Sequence, residues 1–181
     1  MRVPRIVFRT LQDPQPFANS ERELADHDAE YLLKFLEESN HESYTLEARP
    51  EERGHSTSAP DYLFRETETG RQVAVEHSLL RQEELQTEIG RRVRAFDESF
   101  RPLWRSLSPN QIGELLWTLI KRRMERSQLL EVGADIYVLL LRNRLDANLD
   151  AFLQVSIPVD FREASAIDHV YVIVRGQLVE L

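Results

Sequence analysis

The chain has 181 residues and no cysteine. That removes a disulfide framework, a thiolate nucleophile and a cysteine-based zinc site. Glycine is scarce, at 6 residues, and none of them builds a Rossmann fingerprint, a phosphate-cradling loop or a G-x-S-x-G elbow. Lysine is scarcer still, with only Lys34 and Lys121. The positive charge is therefore nearly all arginine, which a GC-rich genome would produce and which also suits bidentate contacts to phosphate. No apolar run, Tyr137 to Leu141 included, comes near the roughly 20 residues needed to cross a bilayer. The N-terminal MRVPRIVFRT carries three arginines but neither an apolar stretch nor a small-residue cleavage site, so no signal peptide is read. The five histidines show no metal-ligand spacing such as HxxxH. These absences predict a cytoplasmic protein with no membrane segment.

What is present reads as globular. Hydrophobic residues make up 41% and charged residues 30%, too apolar for a disordered chain and too polar for a membrane one. The length suits one domain, residues 1–181. The net charge of −8 and pI near 5.2 argue against a general nucleic-acid binder, whose affinity comes largely from Lys and Arg on phosphates. The charge is uneven, however. Residues 1–60 carry 7 basic and 12 acidic groups, residues 61–126 carry 12 and 11, and residues 127–181 carry 4 and 8. Arg91, Arg92 and Arg94, with Lys121, Arg122, Arg123 and Arg126, form the basic runs of the near-neutral middle. They could track a phosphate backbone or simply be solvated helix faces.

Periodicity gives the elements. Residues 1–20 read as an arm with one short strand, Arg5 to Thr10. Ser20 and Glu23 form a capping box, followed by a helical stripe of Leu24, Tyr31, Leu32, Phe35 and Leu36 that runs to about Glu38. Tyr44–Ala48 is a short strand and residues 49–60 a polar loop. Two β-like runs follow, Asp61–Glu66 and Arg71–Ser78, joined by a turn ending at Gly70. Helical text is expected from Leu79 through Phe100 and again from Pro109 to Arg126, the second capped by Ser108. Trp104 and Trp117 read as core. Ala134–Arg142 is a strand buried on both faces, Leu145–Val155 a helix, His169–Val174 another buried strand, and Leu178–Leu181 an edge strand after Gly176. The order predicts an α/β (α+β) domain with a mixed sheet flanked by helices. Residues 143–181 add a C-terminal helix and strands.

The stretch Pro60 to Leu80 carries the chemistry. A turn centred between Glu68 and Thr69 sets Glu66 opposite Arg71, Phe64 opposite Val73 and Asp61 opposite Glu76. Directly opposed side chains share a face with Cβ atoms roughly 5 Å apart. Two carboxylates so placed repel one another unless a cation or a shared proton bridges them. Val73, Ala74 and Val75 make Glu76 the one acid of an otherwise apolar strand, and such an acid needs a partner. A pair of hard oxygen ligands suits Mg²⁺ or Mn²⁺. Read blandly, Asp61 is a turn residue and Glu76 an edge acid or an arginine's partner.

Pro60-Asp61, a hairpin turn, then Val75-Glu76-His77-Ser78 resembles the PD-(D/E)XK nuclease superfamily, whose restriction-endonuclease-like core has a similar order of elements; the resemblance covers roughly residues 22–142 and implies that they form such a core. The resemblance implies Asp61 and Glu76 as metal ligands, joined by the backbone carbonyl of His77 and by an acid of the first helix, for which Glu30 is the choice. It implies Mg²⁺- or Mn²⁺-dependent hydrolysis of nucleic acid. The family's lysine is replaced here by Ser78. A migrated cation, Arg81 or Lys34, could stand in for it, or Ser78 or His77 could do partial duty, although strand alternation turns His77 away from Glu76. Otherwise the fold survives as a catalytically inactive, DNA-associated or protein-interaction module. The sequence leaves the oligomeric state open, a homodimer among the options.

Overall fold

A computed structural model describes residues 4–9, 21–48, 60–80, 107–125, 133–145, 149–155 and 167–181. Its centre is a seven-stranded mixed sheet. In chain order the elements are β1 (Arg5–Arg9), α1 (Glu21–Asn40), β2 (Tyr44–Ala48), β3 (Tyr62–Glu66), β4 (Gln72–Leu80), α2 (Pro109–Glu125), β5 (Ile136–Asn143), α3 (Leu149–Leu153), β6 (His169–Val174) and β7 (Gln177–Glu180). Across the sheet the strands lie β1-β7-β6-β5-β4-β3-β2. The meander β2-β3-β4 is antiparallel, β4, β5 and β6 are parallel, and β6-β7 and β7-β1 are antiparallel again.

Period-two alternation divides the core between the two faces. Ala74, Tyr137, Leu139, Leu141, Val170, Val172 and Val179 pack with Ile112, Leu116 and Ile120 of α2 and Phe152 of α3. Their neighbours of opposite parity, Val73, Val75, Val138, Leu140, Tyr171 and Ile173, pack with Ala29, Leu32 and Phe35 of α1. The expected stripe of α1 is the side that docks: Leu24, Tyr31, Leu32 and Phe35 are buried. Tyr31 also donates its hydroxyl to the carbonyl of Gly176, 2.7 Å away in the β6–β7 turn. Ser108 and Gln111 cap α2 reciprocally: the Ser108 amide donates to Gln111 Oε1 at 3.0 Å, and the Gln111 amide donates to Ser108 Oγ at 3.4 Å. That is a capping box with glutamine as its second member.

Two boundaries and the edges of the sheet differ from expectation. β4 continues through Leu80 where a helix was expected from Leu79, because β5 pairs with it residue for residue as far as Leu80 against Asn143. The helix expected over Leu145–Val155 shortens to Leu149–Leu153. Asn143 Oδ1 takes the Leu145 amide at 2.9 Å, an Asx turn that competes with helix. The strand of the N-terminal arm is part of the sheet, and it covers β7. The edges are therefore β1 and β2 rather than β7. Trp117 is half-buried, with Lys121 Nζ 5.9 Å above its ring. Arg81, Arg91, Arg92, Arg94, Trp104 and Arg126 lie outside the described residues. Among the described residues no helix is long and apolar enough to cross a membrane.

Candidate functional site

The hairpin has the expected register: Tyr62 pairs with Val75, Leu63 with Ala74, Phe64 with Val73 and Arg65 with Gln72. At the turn, the Glu66 amide donates to the Arg71 carbonyl at 2.9 Å. Gly70 closes the loop at φ +73°, a left-handed conformation that glycine adopts without a Cβ penalty. Glu66 is buried, and Arg71 grips its carboxylate with two hydrogen bonds of 2.6 and 3.0 Å. Thr69 donates a third from its hydroxyl. Hydrogen bonds from Arg71 and Thr69 hold the Glu66 carboxyl below the usual carboxylate range.

At the open end the ladder stops at Tyr62 and Val75, one residue short of Asp61 and Glu76. Asp61 stands in a bend one residue before β3, and its Oδ2 accepts the backbone N–H of His77 at 2.7 Å. A side chain thus takes over where the backbone ladder of β3 stops. Glu76 is buried at 9% exposure and shares the parity of Ala74 and Leu80, which belong to the face that carries α2. His77 points to the other face, as alternation requires. There its Nε2 lies 3.0 Å from Oδ2 of Asp28.

Asp28 is the residue that sequence reasoning missed. It is fully buried on α1 and is met from two strands, by the His77 ring of β4 and by Arg142 Nη1 of β5 at 3.3 Å from Oδ1. A buried carboxylate needs such partners, since an isolated one would be prohibitively costly to desolvate. The signal was in the helix pattern. Asp28 falls four residues after Leu24 and four before Leu32, on the apolar stripe itself. Glu30, the acid expected to serve from this helix, stands about 200° around it from Asp28. Its side chain is 73% exposed, with Oε2 3.9 Å from Nδ1 of His27. Lys34 is likewise exposed. Ser78 follows His77 in β4 and is half-buried.

A cavity of about 320 Å³ opens beside this network, lined by Glu21, Arg22, Ala25, Asp26, Asp61, Tyr62 and His77. Tyr62 donates its hydroxyl to Asp26 Oδ1 at 2.8 Å, joining the hairpin wall to the α1 wall. Asp61 and His77 therefore border one cavity, and neither Glu76 nor Glu30 lines it. Among the described residues no three His, Asp or Glu side chains converge as a metal-binding group. Asp61 and Glu76 are hard oxygen donors of the kind that Mg²⁺ and Mn²⁺ take, but only Asp61 lines the cavity. No family model, curated protein or solved structure matches this chain.

Proposed function

We propose that the chain is a divalent-metal-dependent nuclease with a restriction-endonuclease-like core, hydrolysing phosphodiester bonds at the open end of the β3–β4 hairpin. The observation that carries this reading is the register. The ladder ends at Tyr62 and Val75, and Asp61 and Glu76 are the next residue along each side, two carboxylates near one end of the hairpin. The order α1-β2-β3-β4-α2-β5 supports the same reading, since an antiparallel meander, a helix and a parallel strand resemble that core. His77 and Arg142 also lie in the C-terminal halves of the parallel strands β4 and β5, the end at which open sheets of this kind place their sites.

Asp61 and Glu76, with the carbonyl of His77, would hold Mg²⁺ or Mn²⁺. When bound, such an ion polarises a phosphoryl oxygen and acidifies a water. The chain's own residues orient the parts. His77 ties Asp61 to β4 through its amide, and Asp28 fixes the His77 ring. A second reading, an inactive nuclease fold serving as a DNA-associated or protein-interaction module, is favoured by Ser78 at the family's lysine position. The test is incubation with single-stranded and duplex nucleic acid in millimolar Mn²⁺. Weak cleavage that Asp61→Ala abolishes is expected. Mn²⁺ should also raise the melting temperature, and Glu76→Gln should remove that rise while leaving the metal-free protein as stable or more so. No cleavage and an unchanged melt would select the inactive module.

A further inference from the structure

We draw no further inference here: the strongest candidate, the cavity between the first turns of α1 and the open end of the β3–β4 hairpin, belongs to the site already described, and beyond its acidic lining nothing among the described residues points to a ligand.

Discussion

The two ends of the β3–β4 hairpin each keep a carboxylate out of water, and they do so in opposite ways. At the turn, Glu66 is satisfied by Thr69 and Arg71, its own neighbours within five residues. At the open end, Asp28 reaches its two partners across 49 and 114 residues of chain, and Asp61 reaches His77 across 16. The first arrangement forms as soon as the turn does. The second exists only once α1, β4 and β5 have assembled. A buried acid satisfied by its own turn is a device for setting register. One satisfied from three elements breaks the apolar pattern of its helix, and such breaks concentrate where a fold does chemistry.

The sharpest way to break this comparison is to remove Asp28. Asp28→Ala removes the buried carboxylate that the Arg142 guanidinium and the His77 ring meet, which should cost roughly 3 kcal/mol. Urea denaturation of the two proteins measures it. Replacing the pair together, as Asp28→Leu with Arg142→Met, should recover much of that loss, because apolar side chains of similar volume need no partner. A single variant within about 0.5 kcal/mol of wild type, the range of an ordinary surface substitution, would show that the network carries no structural weight.

The same contrast explains what the sequence revealed. Glu66 opposite Arg71 was legible because a turn fixes pairing through local arithmetic. The strand of His169–Val174 was legible because a run of β-branched and aromatic residues bounded by a glycine turn has few other uses. The same arithmetic sets Asp61 opposite Glu76 as an expectation, while the ladder ends one pair earlier, at Tyr62 and Val75, and Asp61 accepts the His77 amide. Nothing local, however, says which face of α1 meets which strand, so Asp28, His77 and Arg142 could not be brought together from spacing. Charge at the end of an apolar run hid Arg142, and an acid within an apolar stripe hid Asp28. Glu30 is the acid of the first helix that the resemblance points to, and the helical angle sends it to solvent. The cavity, with Arg22 on its rim, is a product of docking and has no signature in the chain.

A smaller effect separates the backbone of the turn from its side chains. Gly70 sits at φ +73°, and a Cβ there would meet only Arg65 Nη1 at 3.8 Å, an ordinary contact. Gly70→Ala should therefore cost about 1 kcal/mol through left-handed backbone strain alone. Gly70→Asn should cost less, since asparagine tolerates that region. Thermal melts would rank them. An alanine variant as stable as wild type would mean that the turn relaxes, and that register is held by Glu66 and Arg71 instead.

The smallest effect is the pH dependence of that pair. Hydrogen bonds from Arg71 and Thr69 depress the Glu66 carboxyl in the folded chain below its ordinary value of 4.5. A group depressed on folding binds fewer protons in the native state, so its contribution is complete above the unfolded value and is lost as pH falls through the folded one. Stability should therefore be insensitive to Glu66 at neutral pH titration and should fall in the window below about 4.5, down to the lowered folded value. Glu66→Gln should flatten that part of the acid slope while lowering stability at pH 7. The loss is limited because the Arg71 side chain is 49% exposed, and solvent screens a half-exposed pair. Salt should shrink it further. The open end offers the control: Asp28→Asn ought to leave the Glu66 part of the slope in place, since the two networks share no residue. If Glu66→Gln left the acid slope unchanged, the Arg71 and Thr69 bonds would not be its source, and the turn would be the passive end of the hairpin.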